Sequence, residues 1–327
     1  MEGLAGTPLS AQPYALAIAV LLDLALGDPV YRFHPIRLMG ASLTAIENAL
    51  RRLGANGYGG GIALFVILAA LWVVIFALLQ LGFAALGAWP AWIFHVFAVY
   101  SLLAFGDLIH HVWRVERALM RNDLGAARVA VGYLVSRDLE RMDEGACRRA
   151  AIESLSENLT DGFVAPIFWY VLLGLPGLVL FKVVSTMDSM VGYRTPRYLR
   201  FGWCGARLDD AMNFIPARLT WLLIAASAVF VSGCSPAKAL AIGYRQARWL
   251  PSPNSGWPEA ATAGAIRRRL VGPIWKGGQL VTDLWIGDPN DPPVSQHADT
   301  VRATIVNIVA GLAAAIIGAG VLLSAVN

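Results

Sequence analysis

The chain has 327 residues, of which 57% are hydrophobic and only 15% charged, and its mean hydropathy is +0.57. Soluble globular chains carry about 25% charged residues, so an ordinary soluble enzyme, a disordered tail and a coiled coil are excluded, and an all-α polytopic membrane protein is indicated. The net charge of +4 reads as Lys and Arg in cytoplasmic loops, and no nucleic-acid partner is expected.

Gaps between charges place the membrane segments. Glu2 and Asp23 are separated by 20 uncharged residues. No basic stretch precedes them and no small-residue cleavage site follows, so residues 12–27 are read as a first membrane helix and not as a signal peptide. Arg52 and Asp107 are separated by 54 uncharged residues. One span takes about 20, so this run predicts two, over 61–80 and 89–106, with the turn near Gly82–Pro90. Residues 107–161 are predicted to form a helical cytoplasmic insert. Leu108, Val112, Val115 and Leu119 recur at helical spacing, and Asp123 and Ser136 are expected N-caps. Three further apolar stretches, 163–181, 214–233 and 303–325, bring the total to six within a single domain spanning 1–327.

Orientation follows from Lys and Arg. The segments 28–60, 107–161 and 238–302 are placed inside and both chain ends outside, in the cell (inner) membrane. Full crossing by both 163–181 and 214–233 would put Lys182, Arg194, Arg197, Arg200 and Arg207 outside. Pro166 and the Gly174-Leu175-Pro176-Gly177 break argue instead for a re-entrant or partly embedded hairpin, tolerated at that depth only where protein or a polar cavity covers it. The three cysteines, Cys147, Cys204 and Cys234, lack the spacing of a disulfide framework or a zinc site, and no internal repeat is evident.

Charge collects in five places. Glu153, Glu157 and Asp161 stand at i, i+4 and i+8 and would share one helix face. Like charges so spaced cost about 0.2–0.5 kcal/mol per pair, and a cation such as Mg2+ would offset this. The plain alternatives are a solvated face or pairing with Arg148 and Arg149. Lys182, Asp188 and Arg194 flank a second apolar segment and suit a triphosphate and its metal, or else lipid headgroups. Asp209, Asp210 and Asn213 enter an apolar helix, where an ionisable group costs about 2.5–3.5 kcal/mol at the bilayer centre; an N-cap role explains one Asp but not both. Pro251 to Ala261 reads as a rigid turn with a helix starting at Pro258. His34 and Arg37 follow Gly27-Asp28-Pro29, and a lone His is more often structural. No Walker loop, strand-linked G-x-G-x-x-G or H-E-x-x-H occurs.

These five motifs in this order resemble the CobD/CbiB family of cobalamin biosynthesis, the adenosylcobinamide-phosphate synthases. The resembling pieces are LGDPVYRFHPIRLMG (26–40), ESLSENLTDGFVAPIFW (153–169), FKVVSTMDSMVGYR (181–194), ARLDDAMNFIPARLT (206–220) and SPNSGWPEAATAGA (252–265). The resemblance implies an integral membrane protein that joins adenosylcobyric acid to (R)-1-aminopropan-2-ol or its O-phosphate. ATP and Mg2+ would drive amide formation at a corrin propionate through an acyl phosphate, with the active site on the cytoplasmic side. It further implies proximity to other membrane-bound cobalamin-assembly enzymes, and a homo-oligomer is compatible with it. On that chemistry, Glu153, Glu157, Asp161, Asp188, Asp209, Asp210 and Asn213 form the candidate metal-ligand pool. Lys182, Arg194, His34 and Arg37 are candidate catalytic groups, the first two for phosphate and the last two for the amino-alcohol phosphate or a corrin side chain. Arg218, Asn254, Trp257 and Asn158 are candidate substrate contacts, Trp257 because an aromatic face suits a flat macrocycle. Competing readings are a transporter, a metal-dependent lipid headgroup transferase using the DDAMN element, and a scaffold for other membrane enzymes.

Overall fold

The computed structural model describes residues 7–28 and 31–326. Pro29 and Val30 of the first motif lie outside the described residues. In chain order the helices are α1 (Pro13–Leu26), α2 (Pro35–Arg52), α3 (Tyr58–Ala85), α4 (Ala88–Tyr100), α5 (Phe105–Met120), α6 (Leu124–Val131), α7 (Glu144–Leu159), α8 (Ala165–Val191), α9 (Trp203–Met212), α10 (Phe214–Ser227), α11 (Pro236–Gln246) and α12 (Gly256–Ile266). Four short strands follow, β1 (Leu270–Val271), β2 (Ile274–Lys276), β3 (Gln279–Thr282) and β4 (Trp285–Ile286), and then α13 (His297–Val326). Four helical stretches are long and apolar enough to cross a membrane: Tyr58–Ala85, Ala88–Met120, Glu144–Val191 and His297–Ala325. A fifth candidate is Trp203–Met212 with Phe214–Phe230, bent by 42°. The all-α membrane fold expected from composition is therefore the fold observed.

Contacts divide the chain into two units. The first holds the described residues up to Ala104, together with Ala165–Asn213 and those from Ala315 on. Its α3 is apolar all round, as a lipid-facing helix must be. One stripe, Leu64, Leu68, Trp72, Phe76 and Gln80, is buried, while Val66, Val74, Leu78 and Leu81 are exposed. The two polar groups on the buried stripe place their donors: Trp72 Nε1 donates to Ser42 Oγ at 2.9 Å and Gln80 Nε2 to the Ala91 carbonyl at 3.1 Å, while Gln80 Oε1 has no partner among the described residues.

The Gly174–Gly177 break in α8 is real, and it centres on Gly174, with φ 66° and ψ −156°. An L-residue adopts that conformation only under strain. The break frees backbone groups, and the chain before α1 answers one of them: Leu175 N–H donates to the Leu9 carbonyl at 3.0 Å. A Cβ at position 174 would collide with that same Leu9 carbonyl oxygen. Gly174→Ala is expected to lower stability by about 1–3 kcal/mol, read as a drop in thermal midpoint in detergent.

The second unit holds Phe105–Val164 and Phe214–Ala314. The apolar stripe predicted from Leu108 to Leu119 is buried on α5. Asp123 caps α6 as expected, accepting from Ala126 N–H at 2.8 Å. Ser136 opens no helix; the cap of α7 is Asp143, which accepts from Ala146 N–H at 2.6 Å. The helix expected to start at Pro258 starts two residues earlier, with Ser255 as its N-cap residue. Nothing in the sequence reading anticipated the strands. β1 pairs antiparallel with β4, and β2 with β3. Gly277 and Gly278, both at positive φ, close the β2–β3 hairpin, the geometry a two-residue hairpin turn requires. Asp138 holds that turn with both carboxylate oxygens, at 2.8 and 2.7 Å from the two glycine N–H groups. The core below it gathers Ile152, Ala260, Ala263, Ile266, Leu270 and Ile286.

Candidate functional site

In the first unit, α8 and α9 carry Lys182, Asp188, Asp209 and Asp210, with Arg194 and Asn213 just beyond their ends. Asp188 lies close enough to Asp210 to feel its negative charge, and Asp210 in turn lies in the field of Arg207 and Arg194. Arg207 Nη1 reaches Asp210 Oδ2 at 3.4 Å. Asp209 Oδ2 accepts from Asn213 Nδ2 at 3.0 Å, and Asn213 is buried with its Oδ1 unpartnered among the described residues. Asp209 and Asp210 do not cap a helix start, as the plain alternative required; they occupy the final turn of α9. The helix dipole disfavours carboxylates there, by about 0.3–1 kcal/mol each. Acids kept against local preference, with Arg207 and Arg194 close to Asp210, make an oxygen-rich, charge-balanced surface. Lys182 is buried on α8, and a buried lysine in an apolar segment is by default functional.

At the start of α2, His34 is buried, and its Nε2 lies 2.7 Å from Asp28 Oδ1. Burial, and then the Asp28 charge, push the Tyr31 phenol above its ordinary value. Arg37 is exposed and donates to the Tyr31 carbonyl at 3.4 Å. Arg194 is exposed as well.

In the second unit, the acidic stripe is only partly as expected. A π-helical turn over Thr160–Val164 interrupts the ideal register after Glu157, so Asp161 does not continue the stripe by simple i+4 spacing. Neither Arg148 nor Arg149 hydrogen-bonds Glu153, although Arg149 lies within reach of its charge. Arg148 serves Glu116 at 3.2 Å, and Arg149 Nε donates to the Val271 carbonyl at 3.1 Å. Glu153 pairs with Arg137, Nη2 to Oε2 at 2.5 Å, and its Oε1 accepts from Val271 N–H at 2.8 Å. Asn158 is exposed, and its amide folds back onto the Ser154 carbonyl at 2.9 Å.

Arg218 and Asn254 do meet: Nη1 donates to Oδ1 at 3.1 Å. The same guanidinium lies over the Phe214 ring at 3.5 Å and the Trp257 ring at 4.8 Å. Trp257 is buried against Trp221, ring centroids 4.9 Å apart. The open aromatic face expected to meet a flat macrocycle is therefore covered from within this unit. Its indole N–H has no partner among the described residues.

Two residues escaped the sequence reading. Arg137 looked like one arginine among many in a basic insert. Glu259, on α12, looked like an ordinary first-turn acid, yet it is only 6% exposed. Burial first, then the charges of Glu157 and Glu153, push its carboxyl well above the usual carboxylate range. An acid whose folded pKa is raised binds its proton more tightly when folded. Its contribution to stability is complete below the ordinary carboxylate value and is lost as pH rises through the folded value. Glu259→Gln should therefore flatten the fall in thermal midpoint between acidic and alkaline pH; an unchanged slope would separate Glu259 from that dependence.

Among the described residues no three His, Cys, Asp or Glu side chains converge into a preformed metal cage. Mg2+ does not require one, because it keeps waters and is held by one or two carboxylates together with substrate phosphates. The Asp188–Asp210 pair, hard oxygen donors with arginines alongside, fits that mode of binding.

These features define a class: a polytopic helical membrane protein that holds clustered acids and cations in and beside its membrane helices. Comparison with known proteins narrows it. The profile of the family described as CobD/Cbib protein matches residues 16–306. A cobalamin biosynthesis protein CobD of Pelobacter propionicus is 42% identical over 281 residues, covering 86% of this chain and 87% of that protein. One of Rhizobium meliloti is 44% identical over 285 residues, covering 84% and 86%. The cobalamin biosynthesis protein CbiB of Salmonella typhimurium is 38% identical over 295 residues, covering 88% and 91%. No solved structure matches. The chain belongs to the CobD/CbiB family.

Proposed function

We propose that this chain serves cobalamin biosynthesis as an ATP- and Mg2+-dependent ligase at the cytoplasmic face of the cell membrane, joining (R)-1-aminopropan-2-ol or its O-phosphate to a propionate of adenosylcobyric acid. The observation that carries the reading is the acidic end of α9, where Asp210 meets Arg207 at 3.4 Å and Asp209 accepts from the buried Asn213 at 3.0 Å, in a chain of this family. A carboxylate and an amine do not condense in water without activation. ATP with Mg2+ supplies the phosphoryl group: a propionate oxygen bonds to the γ-phosphorus, ADP leaves, the amine nitrogen bonds to the acyl carbon, and phosphate departs with that oxygen as the ammonium proton is lost.

What the chain contributes to such a reaction is positioning and charge neutralisation. Asp188 and Asp210 are assigned to the metal, with Asp209 and Asn213 as further oxygen donors in the same unit; Glu153, Glu157 and Asp161, in the second unit, are assigned separately as acidic groups of the reaction. Arg194 and Lys182 are assigned to phosphate oxygens. His34, held by Asp28, and Arg37 are assigned to the amino-alcohol phosphate or a corrin side chain. Arg218, Asn254 and Asn158 are assigned to substrate, whereas the Trp257 ring, covered by Trp221 and Arg218, does not take that role. Incubating the purified protein with adenosylcobyric acid, each amine, ATP and Mg2+ should give the amide, detected by mass. Turnover of a CDP-alcohol, or substrate flux in liposomes without any amide, would replace this reading with the transferase or the transporter.

A further inference from the structure

Val271 is a β-branched residue at φ 67°, a region such residues enter only under strain. Strain of this kind costs about 1–3 kcal/mol and persists where the surroundings over-determine it. Here both backbone groups of Val271 are engaged by α7: its N–H by Glu153 Oε1 at 2.8 Å and its carbonyl by Arg149 Nε at 3.1 Å. The second oxygen of Glu153 is taken by Arg137, which arrives from the loop between α6 and α7. Glu153 is 4% exposed and lies, with Glu157 and Arg137, in the electrostatic surroundings of Glu259. Both carboxylate oxygens of a buried acid are thus fixed by groups from two different segments, one of them held in a strained conformation. Satisfying both oxygens is what burial demands of any carboxylate; the strained Val271 conformation is the feature beyond that demand, and strain of this kind clusters at functional sites.

We propose that Arg137 and the Val271 amide are positioning groups, which fix the orientation of the Glu153 carboxylate for the ligase reaction. This inference rests on the reading of the protein as a ligase. Arg137 acts through Glu153 and does not itself meet substrate, so its loss lowers turnover and leaves substrate affinity in place.

The test uses full-length protein in nanodiscs. Arg137→Gln should lose about 10²-fold in kcat, the scale of a misplaced catalytic geometry, with KM values for ATP and both substrates within about twofold. Arg137→Lys, which keeps the charge, should recover about tenfold of that loss. Independently of turnover, hydrogen exchange at the Val271 amide should be slow in the wild type and faster in Glu153→Ala. The proposal is overturned by an unchanged kcat in Arg137→Gln, by a loss carried in KM, or by a lysine variant no better than glutamine. Equal Val271 exchange in wild type and Glu153→Ala overturns it as well. If Arg137→Gln does not fold, the lysine variant's kcat against wild type and the exchange comparison decide. A wild type without turnover removes the ligase reading itself, and the exchange comparison then decides whether the clamp exists.

Discussion

Asp210→Asn should abolish ATP-dependent amide formation, a loss of at least about 10²-fold in kcat, while the protein still inserts and folds. The two halves of this expectation have separate grounds. Replacing the carboxylate by an amide removes the negative charge that a hydrated Mg2+ requires, yet keeps the side chain's shape. The ion pair of Asp210 with Arg207 is long, at 3.4 Å, and partly solvent-exposed on both sides. Such pairs contribute about 0–1 kcal/mol, so the thermal midpoint should barely move. Full activity in the variant would remove Asp210 from the site.

The largest stability effect is expected at Glu116. It is 1% exposed and accepts from four directions. Arg148 donates through Nε and Nη2 at 3.2–3.3 Å, Thr300 Oγ1 at 2.8 Å, and His297 Nδ1 lies at 3.0 Å. The acid thereby ties α5 to α7 and to the start of α13 within one unit. Glu116→Ala leaves the buried Arg148 guanidinium without its main counter-charge, and breaking such a pair costs about 3–5 kcal/mol. Glu116→Gln retains an acceptor and should cost less. Denaturant unfolding in detergent, followed by tryptophan fluorescence, would measure both; a loss below about 1 kcal/mol for the alanine variant would place the pair among weak surface pairs.

What the sequence made legible was what local pattern controls. The uncharged run from Leu53 to Gly106 predicts two membrane helices; α3 and α4 lie within it, and the second membrane-length stretch runs on through α5 to Met120. Asp123 announced a cap because its side chain needs only the next turn. Features set by distant contacts were not legible. Ser136 and Asp143 offer the same local chemistry; which of them caps depends on where the chain between α6 and α7 is held, and Asp138 holds it to a hairpin 139 residues away in sequence. That hairpin did leave a local sign, Gly277-Gly278 between Lys276 and Gln279, a two-residue turn signal. Its strands are too short to show alternation. Glu259 is unremarkable until the fold buries it beside Glu157 and Glu153. Asp210 was readable as costly near lipid and Asp188 as an acid between cations, but that the charge of one reaches the other was not.

In the proposed reaction the chain activates a propionate carboxylate by phosphorylation and passes it to an amine. Adenosylcobyric acid labelled with 18O in the reacting carboxyl tests it directly, when incubated with the purified protein, the amino alcohol or its phosphate, ATP and Mg2+. The account predicts amide product together with one 18O in each phosphate released. Amide formed with unlabelled phosphate would contradict the acyl-phosphate route, and ATP left intact with no amide would contradict the ligase.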